Sequence, residues 1–104
     1  MLFRSIISAP VFVMWSKPMT EIKIVYFAWV RERVGVAEEI IDVPQNILTV
    51  EALAEWLSQR DEGYASAFEN PKLVRAAIDR VHAKPSDMIA GAREIAFFPP
   101  MTGG

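Results

Sequence analysis

The residues with the clearest chemical use stand at the end of the 104-residue chain, in Phe97-Phe98-Pro99-Pro100-Met101-Thr102-Gly103-Gly104. Gly103 and Gly104 carry no Cβ, so another protein's backbone can close around them. A nucleophile can then reach an activated terminal carbonyl without meeting a side chain. Pro99 and Pro100 fix φ and remove two amide donors, which stops a strand and sends the tail out extended. From Pro99 to Gly104 such a tail reaches at most about 20 Å, enough to enter a pocket of a second protein. The pattern offers carbonyl chemistry at the C-terminus rather than at a side chain.

Elsewhere the sequence offers little reactive chemistry. Cysteine is absent, which excludes a thiol nucleophile, a disulfide framework and a Cys-based zinc site. The single His82 cannot assemble a metal site and reads as an ordinary strand or turn residue. Glu51 and Glu55 are four apart, but no His or Asp cluster accompanies them, so they read as a solvated helix face and not an acid–base pair. Trp29, Arg31 and Arg33 read as a solvated helical surface with one packed aromatic. There is no Gly-rich phosphate loop and no Ser-His-Asp constellation.

The tail needs a strand to hold its base. Ile95-Ala96-Phe97-Phe98 is that strand, and because successive side chains point to opposite faces, at most one of Phe97 and Phe98 fills the core. The other is expected in an exposed apolar patch beside the tail, where aromatic anchors commonly dominate partner binding. From Glu21, Ile22, Ile24 and Tyr26 alternate with Lys23 and Val25, which predicts a first strand. Ala28 to Val34 holds a short helical turn that Gly35 ends, and Glu39 to Val43 reads as a second strand stopped by Pro44, paired with the first as a hairpin. Thr49 is a suitable N-cap for an amphipathic helix carrying Val50, Leu53, Ala54 and Leu57 on one face and ending near Arg60. Asp61 to Asn70 is polar and helical-turn-like. Leu73 to Ile78 reads as a third strand, with Val81 to Ala83 a short continuation after a turn.

Hydrophobic residues make up 52% of the chain and charged residues 23%, the composition of one globular domain able to bury about two-thirds of its unfolded surface. The formal charge is -2 overall, but from Met19 onward nine basic residues face thirteen acidic ones. That balance argues against nucleic acid and for a positively charged protein partner. Residues 1–18 read differently from the rest: Arg4 precedes an apolar run, for which a signal peptide is one reading, but Pro10 interrupts the run, no Ala-x-Ala site follows it and it is too short to span a bilayer. They read as an appended leader, a start assigned upstream of Met19, or an extra element covering a sheet edge. The ordered domain is expected over residues 19–104.

The ending, together with Ile24-Val25-Tyr26-Phe27-Ala28-Trp29-Val30-Arg31-Glu32-Arg33-Val34-Gly35 and Leu48-Thr49-Val50-Glu51-Ala52-Leu53, resembles the molybdopterin synthase small-subunit family of ubiquitin-like sulfur carriers, from Ile22 to Gly104. The resemblance implies an α+β, ubiquitin-like β-grasp: a mixed sheet of four to five strands around one main helix, with the first and last strands adjacent. It implies that Gly104 is adenylated and then thiocarboxylated, with Gly103 beside it, while Phe97, Phe98, Pro99, Pro100, Met101 and Thr102 bind partners. Those partners are a large synthase subunit of the MoaE type, in a heterotetramer, and an E1-like adenylating enzyme of the MoeB type. No cofactor is bound permanently, ATP being used by the activating enzyme. The chain is expected to be a cytoplasmic sulfur donor to cyclic pyranopterin monophosphate, not catalytic alone, with no metal, nucleic acid or membrane partner. A thiazole-pathway carrier, a ubiquitin-like modifier joined to proteins through Gly104 and a plain interaction domain are the alternatives. In one place the family pattern is broken: the usual acidic Asp-Gly-Asp-Glu turn before the last strand is here Gly91-Ala92-Arg93-Glu94.

Overall fold

The computed structural model describes residues 19–100. β1 (Met19–Tyr26) buries Ile22, Ile24 and Tyr26 on one face, as its alternation predicts, and begins two residues earlier than the apolar pattern does. α1 (Ala28–Val34) ends at Gly35, whose φ of 100° places it in the left-handed region and whose N–H donates to the Arg31 carbonyl at 2.8 Å. β2 (Glu38–Pro44) is antiparallel to β1, with Ile22 opposite Ile41. Pro44 closes this strand at the edge of the sheet, where a missing amide donor is tolerated.

α2 (Val50–Ser58) is the central helix and stops short of Arg60. The Thr49 hydroxyl accepts from the Ala52 N–H at 3.1 Å, and the Val50 and Glu51 N–H groups donate to the Asp87 and Pro85 carbonyls. A loop thirty-four or more residues downstream thereby satisfies donors that a helix start leaves free. α3 (Glu62–Ala67) is capped by the Asp61 carboxylate, which accepts from the Gly63 and Tyr64 N–H groups. The backbone of α1 passes so close to Gly63 that a Cβ there would sit 2.5 Å from the Arg33 carbonyl oxygen.

The predicted strand from Leu73 is corrected at its start. Asn70 caps a 3-10 turn over Pro71–Leu73, and Pro71 supplies the fixed φ that favours it, so β3 is confined to Arg75–Ile78. A tight turn at Asp79 and Arg80, both with positive φ, leads to β4 (Val81–Ala83), and β5 is Glu94–Phe98. The sheet order is β2-β1-β5-β3-β4, with β1 and β5 parallel and every other pairing antiparallel. The adjacency of first and last strands is therefore as expected.

One core lies on a single face of this sheet. Ile22, Ile24 and Tyr26 from β1, Ile41 and Val43 from β2, Ile95 and Phe97 from β5 and Ala76 from β3 meet Val30 of α1, Leu53 and Leu57 of α2 and Tyr64 and Ala67 of α3. Among the described residues no charged side chain is fully buried.

Candidate functional site: the base of the C-terminal tail

β5 is the central strand, so the tail leaves from the middle of the sheet with partners on both sides. Tyr26 stands opposite Phe97 and Arg75 opposite Phe98. The Phe27 N–H donates to the Phe97 carbonyl at 3.0 Å, prolonging the β1 ladder to the last turn of the strand. A strand held from both edges fixes the point and direction at which the tail departs.

The two phenylalanines divide as alternation requires. Phe97 is 1% exposed, stacked on Tyr26 at 6.5 Å between ring centroids and met edge-on by Phe68 at 5.0 Å. Phe98 is half-buried on the opposite face, with the His82 ring edge-on at 6.1 Å. His82, read as an ordinary strand residue, is exposed in β4 in register with Ala77. Pro99 and Pro100 are half-buried. Met101, Thr102, Gly103 and Gly104, the other site residues expected from sequence, lie outside the described residues, as do residues 1–18.

Two exposed apolar residues at the tail exit were not evident from sequence. Phe27 is 49% exposed and Val36 42%. Phe27 follows the end of β1, and Val36 lies just before Ala37, whose carbonyl accepts from the Tyr26 N–H at 2.9 Å. Alternation alone would have given Phe27 the face opposite Tyr26. What the sequence does not announce is the left-handed φ of 52° at Ala28, which turns the chain abruptly into α1. Such a conformation costs a non-glycine residue about 1 kcal/mol.

The face opposite the core continues this surface. Val25, Ala96 and Ala77 lie in one row across β1, β5 and β3, with Ile40 of β2, 68% exposed, and Phe98 beside them. Ala96 is buried by its neighbours yet stands apart from the core cluster.

The atypical turn before β5 is tied down by other means. The Asp79 carboxylate accepts from the Arg93 and Glu94 N–H groups at 3.0 and 2.9 Å, and the Lys23 N–H donates to the Arg93 carbonyl. Gly91 supplies the positive φ of 80°. An acidic residue thus clamps the turn from the neighbouring hairpin, and the Arg93 side chain is left exposed at the end of β5 remote from the tail.

A polar cluster braces the aromatic layer beneath the site. Tyr26 and Tyr64 both donate their hydroxyl hydrogens to one carboxylate oxygen of Glu39, at 2.8 and 2.7 Å. Burial, and then the hydrogen bond to the Glu39 carboxylate, push the Tyr26 hydroxyl well above its ordinary range; the same causes push Tyr64 up to about 12. Both remain donors across the physiological range. Arg60 lies over the rings of Tyr64 and Trp56, at 5.1 and 5.8 Å.

The remaining candidates show no converging chemistry. Glu51 and Glu55 are exposed on α2 beside an open groove of about 730 Å³ whose opposite rim carries Lys72 and Arg75. Arg33 lies 4.6 Å above the half-buried Trp29 ring and donates to the Ser66 carbonyl. Among the described residues no group of three or more His, Cys, Asp or Glu could hold a metal ion.

Comparison with known proteins gives one consistent result. Residues 24–104 match the family model described as the ThiS family. The chain is 37% identical over 83 residues to a molybdopterin synthase sulfur carrier subunit from Escherichia coli, an alignment spanning 80% of this chain and 99% of that protein. A subunit of the same name from Caenorhabditis elegans is 33% identical over 88 residues, spanning 83% of this chain and all of the other. The crystal structure of SAMP1 from Haloferax volcanii superposes with a TM-score of 0.60 at 22% identity, covering 82% of this chain and 100% of that one, a likeness of fold.

Proposed function

The chain belongs to the ThiS family, and we propose that it is the sulfur-carrier subunit of a molybdopterin synthase, working through a thiocarboxylate at Gly104. The observation that carries this reading is the seat of the tail. A strand bonded on both edges delivers Pro99 and Pro100 outward between an apolar face and the exposed Phe27 and Val36. That arrangement serves a terminus that must be presented to other proteins in a fixed direction. In support of this reading, the family match spans residues 24–104, and the two relatives are aligned over 99% and 100% of their own lengths.

A carboxylate resists attack because its leaving group would be oxide. Activation by an E1-like enzyme joins a Gly104 oxygen to the α-phosphorus of ATP and releases pyrophosphate. A sulfur nucleophile then adds to the carbonyl and AMP leaves, so that one oxygen of the carboxylate is exchanged for sulfur. In the large synthase subunit the terminal sulfur becomes the nucleophile toward cyclic pyranopterin monophosphate, water then cleaves the acyl C–S bond and restores the Gly104 carboxylate, and two such deliveries supply the two sulfurs of the dithiolene. The large subunit contributes positioning and charge stabilisation. This chain contributes the nucleophile, the reach of its tail and the docking surface, so its side chains need not titrate. Among the described residues no helix is long and apolar enough to cross a membrane, and a cytoplasmic location is part of the proposal.

The test is reconstitution of the chain with an adenylating enzyme, ATP, a sulfur source and a large synthase subunit. Sulfur should appear at Gly104 and then in the pterin, and Gly103→Trp should block delivery without loss of fold. Isopeptide-linked conjugates with no transfer to the pterin would favour a protein modifier instead.

A further inference from the structure

The outer face of the sheet has an apolar centre and two flanks of opposite charge. Ile40, Val25, Ala96, Ala77 and Phe98 cross β2, β1, β5 and β3. None of them belongs to the core cluster that receives side chains from all three helices. On the β2–β1 side stand the exposed carboxylates Glu21, Glu38 and Asp42, with Glu21 directly opposite Asp42. In the β3–β4 turn and just before β5 stand the exposed cations Arg80 and Arg93. Lys23, between the flanks, is 3.6 Å from Glu38 and opposite Glu94, so it is already matched within the chain.

We propose that this face pairs with the same face of a second copy, as a reversible two-fold dimer. A two-fold axis lying in the interface and parallel to the strands maps the acidic flank of one copy onto the basic flank of the other. It also lays apolar centre on apolar centre, in the aligned manner usual for stacked sheets. A face with one sign of charge would repel its own copy; this face is self-complementary. The contact is small and its charges are solvent-screened, so the dimer is weak, with a Kd on the order of 0.1 mM. Phe98 lies in the paired surface at the root of the tail, so the dimer and a docked partner exclude one another. That last consequence rests on the carrier reading, whereas the pairing itself does not and is measured with the chain alone.

Sedimentation velocity of the full 104-residue chain between about 0.01 and about 1 mM tests the pairing by mass action. The sedimenting mass should rise from one chain toward two, and the midpoint should move to higher concentration when salt is raised from about 0.05 to about 0.5 M. Ile40→Glu should keep the chain monomeric throughout with an unchanged circular dichroism melt. Glu21→Lys with Asp42→Lys, and separately Arg80→Asp with Arg93→Asp, should each abolish pairing alone and restore it when the two variants are mixed. A monomer at about 1 mM in low salt, a dimer that survives Ile40→Glu, or a mixture that stays monomeric would overturn the proposal. So would a full chain that is monomeric while residues 19–104 dimerise, which would assign the cover of this face to the first eighteen residues.

Discussion

Phe97 and Phe98, adjacent in β5, do opposite work: the first closes the core between Tyr26 and Phe68, and the second lies against His82 on the opposite face. Phe97→Ala should therefore cost about 3–5 kcal/mol of stability, the range for removing a fully buried aromatic. Phe98→Ala should cost about 1 kcal/mol or less while weakening partner binding about tenfold or more. Urea denaturation and calorimetric titration with a large synthase subunit separate the two effects. Equal losses of stability would contradict this division of roles.

The shared Glu39 carboxylate predicts a specific alkaline limit. Both tyrosine hydroxyls are raised above their ordinary value near 10, so the native state keeps protons that the unfolded chain releases. The contribution of the two tyrosines to stability should be fully present below pH about 10 and be lost as pH rises through about 12. Tyr64→Phe should flatten that fall while lowering stability at neutral pH through loss of one charge-assisted hydrogen bond, and a stability–pH series on both proteins checks it.

Backbone strain offers a stabilising change away from the site. Arg80 holds a φ of 73° in the second position of the β3–β4 turn. A glycine there removes the Cβ clash but adds freedom to the unfolded chain, so Arg80→Gly should stabilise by about 0.5–1 kcal/mol net. In contrast, Gly63→Ala should destabilise by about 1–3 kcal/mol, because its Cβ would collide with the Arg33 carbonyl and part α1 from α3. Denaturant midpoints at constant m-value read both.

Asp79 is expected to matter more than its exposed position indicates. Its carboxylate is the acceptor for two backbone donors at the start of β5. Asp79→Ala should cost about 1–3 kcal/mol and speed hydrogen exchange at Arg93 and Glu94, while Asp79→Asn, which keeps an acceptor, should retain most of the protection. Unchanged exchange in the alanine variant would show that the turn is held by other contacts.

The elements nearest the tail were legible because each has a local signal. Period-two alternation in Ile22, Ile24 and Tyr26, the Thr49 cap and the Val50, Leu53, Leu57 spacing specify β1 and α2 from residues close in sequence. The Phe-Phe-Pro-Pro run likewise fixes one aromatic in and one out. The braces between elements were not legible, since Tyr64 meets Glu39 across twenty-five residues and Asp79 meets Glu94 across fifteen. Glu39 in particular reads only as the start of the second strand, and its role as acceptor for Tyr26 and Tyr64 has no local signal. Leu73 read as strand because apolar content outweighed Asn70 and Pro71, whose capping geometry makes a 3-10 turn. The exposure of Phe27 depends on a left-handed alanine, for which the sequence has no marker.

A thiocarboxylate at Gly104 would be read in the intact mass of the chain, untagged at its C-terminus, after incubation with its adenylating enzyme, ATP and a sulfur source. The expected result is an increment matching the exchange of one oxygen for one sulfur, localised by fragmentation to Gly104 and absent when Gly104 is deleted. An unchanged terminus, under conditions in which a known sulfur carrier is converted, would contradict it.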